Sequence, residues 1–166
     1  MSEIKNKVAE SGLVNFDLSS LVPKGKRIGI DLKPFLFQEL VLKEKDFREK
    51  VKGLELDSYK DAYVYIYNSA EAIVPLWAYF LIASQLSGVA KKVIYGNKDE
   101  LELLIMHQAL NDYDFSNLKD KRVLVKGCTD ENIPENAYIE LVEKLKPIVK
   151  SLMFGEACSN VPIFKN

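Results

Sequence analysis

An α/β fold with a mostly parallel sheet is predicted by three features of the chain. From about residue 60 onward the apolar pattern alternates between the period of two that marks strands and the period near 3.6 that marks helices, as successive βαβ units do. The residues Ala62-Tyr63-Val64-Tyr65-Ile66-Tyr67 are β-branched or aromatic on both faces, as in a core strand covered by helices on either side. Between the periodic segments stand turn and cap residues, namely Asn68-Ser69-Ala70-Glu71, Gly96-Asn97 and Ile133-Pro134.

Taken in order, the strand at residues 62–67 is followed by an apolar helix that ends near Ser87-Gly88 and is expected to be buried nearly all round. A short strand at 92–95 comes next, then a helix from about 98 to 110 whose inner stripe is expected at Leu101, Leu104, Ile105 and Gln108 or Ala109. Arg122-Val123-Leu124-Val125 forms a strand running into Lys126-Gly127-Cys128. Ile133-Pro134 opens a helix with Tyr138, Leu141, Val142 and Leu145 on its apolar face, and this helix stops before Pro147. Residues 149–154 read as the last core strand, leading into Gly155-Glu156-Ala157-Cys158-Ser159. The apolar tail Val161-Pro162-Ile163-Phe164 is either an edge strand or an arm laid on a second subunit, so a homo-oligomer stays open.

Ahead of residue 60 the pattern is weaker. Residues 2–10 suggest a short docking helix with Ile4 and Val8 one turn apart, and residues 27–32 a strand. Lys33-Pro34 suggests a turn, residues 35–42 a second strand, and 43–52 a charged helix ended by Gly53. The expectation is therefore a three-layer, Rossmann-like, mostly parallel sheet with an N-terminal α+β extension. Residues 1–166 form one domain, with the helix/hairpin extension over 1–58 and the repeated βα core over 59–166.

Composition narrows the function. The 166 residues are 48% apolar and 28% charged, an ordinary globular balance. Lys and Arg number 23 against 24 Asp and Glu, a net charge of −1, so neither nucleic acid nor an anionic membrane is an expected partner. The longest apolar run, residues 72–83, contains Pro75 and falls short of the ~20 residues of a membrane-spanning helix. Charges occupy the place where a secretory signal needs its apolar stretch, so a cytoplasmic setting is expected, with both cysteines kept as thiols.

Chemistry is sought where open parallel sheets bind ligands, outside the carboxyl ends of the strands. Three segments are expected there: 68–71 with Ser69 and Glu71, 126–129 with Lys126 and Cys128, and 155–159 with Glu156, Cys158 and Ser159. A right-handed crossover brings Cys128 and Cys158 to the same edge, and Gly127 and Gly155 beside them offer a positive φ or a close backbone approach. Paired thiolates suit zinc, copper or an iron–sulfur cluster, although no CxxC spacing is present and a closed site needs further donors from Glu156, Glu71, Asp31, His107 or a second subunit. Packing is the competing role for each cysteine, since free Cys is among the most buried residue types.

Other residues carry less. His107 has no Cys or second His at i±3 or i±4 and reads as a helix-flank residue. Glu44, Asp46 and Arg48 read as a solvated helix face, and the tyrosines at 63, 65 and 67 as packing. No GxGxxG, GxxxxGK[ST] or GxSxG pattern occurs, so classical dinucleotide, P-loop and nucleophile-elbow sites are not supported.

The segments Leu42-Lys43-Glu44-Lys45-Asp46-Phe47-Arg48, Ala72-Ile73-Val74-Pro75-Leu76-Trp77-Ala78-Tyr79, Lys126-Gly127-Cys128 and Ser151-Leu152-Met153-Phe154-Gly155-Glu156-Ala157-Cys158-Ser159-Asn160-Val161-Pro162 resemble an uncharacterised bacterial family, the domain of unknown function numbered twenty-four eighty. The resemblance spans nearly the whole chain, and both motif cysteines and Glu156 are present. It implies a setting beside iron–sulfur cluster assembly, with assembly proteins as partners and iron, zinc or an iron–sulfur cluster as the group handled. Three functions then compete. The first is an accessory factor in iron–sulfur, metal or sulfur handling through Cys128, Cys158 and Glu156, with Ser69, Glu71, Lys126 and Ser159 as further ligand contacts. The second is a non-catalytic binding module with packing cysteines, and the third a thiol enzyme whose thiolate is favoured by Lys126 and a helix N-terminus.

Overall fold

The computed structural model describes residues 12–129 and 131–166, over which seven strands and four α-helices form. The expected docking helix at residues 2–10 lies outside the described residues. The fold is α/β and Rossmann-like with mostly parallel strands, and the chain divides into two compact units.

The first unit combines Met1–Pro23 with Leu103–Asn166. Its sheet has the order β1 (Leu13–Phe16), β5 (Arg122–Lys126), β6 (Ser151–Glu156), β7 (Ser159–Lys165), with β1, β5 and β6 parallel and β7 returning antiparallel as an edge strand. Val123 and Val125 of β5 and Leu152 of β6 share one buried cluster with Met106 and Leu110 of α3 (Lys98–Asp112) and with Ala137, Leu141 and Leu145 of α4 (Glu135–Leu145). Residues four apart on α4 thus bury one stripe, as its period of 3.6 requires.

The second unit is Lys24–Glu102. Its sheet, β2 (Arg27–Asp31), β3 (Tyr63–Tyr67), β4 (Lys92–Tyr95), is parallel throughout, and the helices α1 (Glu44–Lys52) and α2 (Leu76–Leu86) form its crossovers. Ile30, Val64 and Ile66 pack with Phe47 and Val51 of α1 and Ala78, Ile82 and Leu86 of α2. Acidic Glu44 and Asp46 begin α1 and basic Lys50 and Lys52 end it, which suits the helix dipole, and Arg48 pairs with Glu44 at 2.9 Å as the spacing predicted. A capping box opens α3: Asn97 N–H donates to Glu100 Oε2 (2.7 Å) and Glu100 N–H to Asn97 Oδ1 (2.9 Å). Arg27 grips Glu102 through two bonds, Nε to Oε1 at 2.8 Å and Nη2 to Oε2 at 3.0 Å, so this buried carboxylate is paired.

Several expectations are corrected. One sheet with an N-terminal extension was expected, whereas the early strands enter two sheets, β1 beside β5 and β2 beside β3. Residues 35–42 form a reversal instead of a strand: Phe37 N–H donates to Val41 O (2.7 Å) and Val41 N–H to Phe37 O (3.2 Å) around Gln38 and Glu39, both at positive φ. The buried stripe of α3 is Leu101, Ile105, Met106 and Leu110, while Leu104 and Gln108 are exposed. Helix α2 buries one face only, leaving Leu76 and Phe80 outside.

Because Leu141 and Ile82 are fully buried in separate clusters, Leu141→Ala and Ile82→Ala should each cost about 2–5 kcal/mol. Chemical denaturation of the double variant should give the sum of the two losses to within about 0.5 kcal/mol.

Candidate functional site

Parallel pairing of β1, β5 and β6 places Phe16, Lys126 and Glu156 at one edge of the first unit's sheet. Directly beyond β1, Asp17 caps the turn Leu18–Leu21, its Oδ1 accepting from Ser19 N–H (2.9 Å) and Ser19 Oγ (2.6 Å). The Ser19 hydroxyl, opposed by burial and aided by the Ser19 N–H and the Lys126 ammonium, holds the Asp17 carboxyl below its ordinary value. Lys126 Nζ lies 3.6 Å from Asp17 Oδ2. Beyond β5, Gly127 N–H donates to Gly155 O (3.2 Å) and Cys128 N–H to Glu156 Oε1 (3.3 Å), so the ladder between β5 and β6 is prolonged by a side chain. The Glu156 carbonyl in turn accepts from Asn160 Nδ2 at 3.3 Å.

These groups line an open cleft of ≈ 700 Å³ walled by Asp17, Ser19, Lys126, Gly127, Cys128, Thr129, Glu131 and Glu156. Cys128 is exposed in it. Cys158 is also exposed, in the turn joining β6 to β7, where Ser159 pairs with Glu156; neither Cys158 nor Ser159 lines the cleft. Both thiols therefore stand outside the core at the carboxyl ends of the adjacent strands β5 and β6, a placement opposite to the usual burial of free cysteine. The two glycines divide the roles expected of them. Gly155 takes a φ of +130°, and Gly127 lets the chains approach so closely that a Cβ there would lie 3.3 Å from Gly155 Cα.

Ser69 and Glu71 belong elsewhere. They follow β3 in the second unit, because β3 pairs with β2 and β4 and not with β5, so they do not share a sheet edge with the cysteines. Ser69 is engaged with Asp31 at the end of β2: its Oγ donates to Oδ2 (2.5 Å) and its N–H to Oδ1 (3.0 Å), where Lys33 N–H also donates (3.0 Å). Burial would push the Asp31 carboxyl up, but the Ser69 hydroxyl, the two N–H groups and the Lys33 charge outweigh it and hold the group below its ordinary value. Glu71 is exposed. His107 sits on the surface between Glu140, 2.9 Å from Nδ1, and Asn111, 2.9 Å from Nε2. Among the described residues no three or more His, Cys, Asp or Glu are gathered so as to hold a metal ion. Among them, too, no helix is long and apolar enough to cross a membrane.

Asp17 and Ser19 were not foreseen as part of the cleft. Their signal was present in Asp17-Leu18-Ser19-Ser20, an Asx cap of the kind that follows a strand, but the four-residue strand Leu13–Phe16 that positions it carries too little alternation to be recognised.

Two substitutions probe these local devices. Gly155→Ala forces a Cβ to 2.5 Å from Ser159 O at a φ other residues avoid, so it should lower stability by about 1–3 kcal/mol, more than Gly127→Ala, in thermal unfolding. The depressed Asp31 carboxyl contributes stability that is complete above its unfolded value near pH 4 and is lost as pH falls through the lower folded value. Melting temperatures measured against pH should accordingly fall more steeply below pH ~4 for the wild type than for Asp31→Asn.

A family model described as a protein of unknown function, DUF2480, matches residues 2–166. No curated protein and no solved structure matches the chain.

Proposed function

The chain belongs to the DUF2480 family, and from that membership and its two exposed thiols we propose an accessory factor that carries a soft metal ion or sulfur for iron–sulfur cluster assembly in the cytoplasm. The observation that carries this reading is the exit of both cysteines from the core at neighbouring strand ends. Exposure leaves both sulfurs within reach of a metal ion or a sulfur donor, which burial would deny them. Thiolates prefer zinc, copper(I) and iron–sulfur centres, and since no three donors are gathered among the described residues, each exposed thiolate would join a ligand set that a partner completes. An incomplete set is what a carrier needs, since a closed four-ligand site releases its ion slowly.

Sulfur transfer uses the same groups. A thiolate attacks the outer sulfur of a donor persulfide, a new S–S bond forms on the cysteine, and the donor leaves as its own thiolate. Glu156 holds the Cys128 backbone, while Lys126 and Asp17 border the cleft in which Cys128 is presented. Ser159 supports the hairpin end from which Cys158 projects. Partners in this reading are assembly proteins, with neither nucleic acid nor membrane involved.

The reading is tested by purifying wild type, Cys128→Ser and Cys158→Ser without oxygen, offering each ferrous iron, zinc and a persulfide donor, and measuring bound metal and labile sulfur. The wild type should retain metal or sulfur in simple proportion to the chain and both variants should lose it, while Glu156→Ala, which removes the acceptor of the Cys128 N–H, should bind about 10-fold more weakly through a loosened loop. Wild type that takes up neither metal nor sulfur would contradict the proposal.

A further inference from the structure

Helix α2 carries no charged residue between Leu76 and Leu86, yet only Ala78, Ile82 and Leu86 are fully buried. On the opposite side Leu76 is 64% and Phe80 65% exposed, and Ile73, just before the helix, is 95% exposed. A helix face in water is ordinarily polar. Beside this face the reversal at residues 37–41 presents Leu40 (65% exposed) and Val41 (56%), which line one open groove with Ile73, Pro75 and Trp77. Gln38 and Glu39 adopt φ of 49° and 60° to make that reversal.

We infer that this face is the contact of a two-fold dimer, in which α2 packs antiparallel on α2 of a second copy. Three features single out a second copy as the occupant. First, the stripe is graded in size: Ile73, Leu76 and Phe80 stand at one end, Ser84, Ser87 and Gly88 at the other. An antiparallel pair sets the large end of each helix on the small end of its mate, whereas a parallel pair would set large on large and leave a gap beyond. Second, the rim carries both signs, Lys33 with Glu39 at 3.2 Å and Arg48 with Glu44 at 2.9 Å. These pairs close within the copy and leave the rim without net charge, which suits contact with a like surface, while a lipid surface or nucleic acid would call for cations alone. Third, the exposed apolar side chains offer on the order of 500–600 Å² per copy, the upper end of what a monomer leaves bare. Doubled across the axis, this reaches roughly 1,000–1,200 Å², near the lower bound for a specific interface.

None of this depends on the cysteines, so it stands or falls apart from the proposed carrier role. Sedimentation of the full chain under reducing conditions is the test. Wild type should be a dimer at micromolar concentration, and Phe80→Glu should weaken it by at least about 30-fold, the effect of losing one central aromatic anchor. Leu76→Glu should do the same, and adding Ser84→Lys to it should restore the dimer, because in the antiparallel pair position 76 of one copy faces position 84 of the other. Since these side chains are exposed, circular dichroism should show each variant folded. A monomeric wild type, including one that captures a different protein through this face, would overturn the inference, as would a dimer indifferent to both acidic substitutions. Loss without rescue would overturn the antiparallel arrangement.

Discussion

The parallel pairing of β5 with β6 governs the candidate site. Two parallel neighbours cannot be joined by a tight turn, so the chain must cross over through α4 and return, and both strands then end at the same edge. The register Lys126↔Gly155 carries the ladder to its last rung, and Gly127 N–H to Gly155 O extends it by one more bond. Glu156 then takes over with its side chain, accepting the Cys128 N–H that has no strand partner left. The cysteine loop thus begins where regular pairing stops, and the hairpin turn to β7 leaves Cys158 one short step beyond the neighbouring strand.

The same constraint shapes the chain's path. β1 pairs with β5 in the register Leu13↔Arg122, so the residues of the second unit lie in sequence between two neighbouring strands of the first. Each unit compensates with its own buried cluster, one around Val123, Leu141 and Leu152, the other around Val64, Phe47 and Ile82. The long closure costs chain entropy before it gains contacts, which favours folding in which the second unit's local βαβ pairings form without waiting for β1.

Much of this was legible in the sequence because the periodicities were strong. β3, β4, β5 and helix α4 fall within a residue or two of expectation, and so does the exit of both cysteines at strand ends. What was not legible has identifiable causes. Pairing partners are set by tertiary packing, so nothing in Tyr63-Val64-Tyr65 announces that β3 joins β2 and β4 in a sheet of its own, so that Ser69 and Glu71 follow a strand of a different sheet from the cysteines. β1 is four residues long, too short for alternation to register, and with it went Asp17 and Ser19. The uniformly apolar α2 suggested burial all round, because hydropathy reports the preference of a face for cover and not whether the same chain supplies it.

The placement of the two thiols on adjacent strand ends is tested most directly by nitroxide labels on the native Cys128 and Cys158, with the distance between them read by pulsed electron resonance. A single short-distance population is expected, since the labelled residues follow paired strands about 4.8 Å apart. A long or broadly spread distance would contradict the shared edge, and with it the carrier role built on the two cysteines.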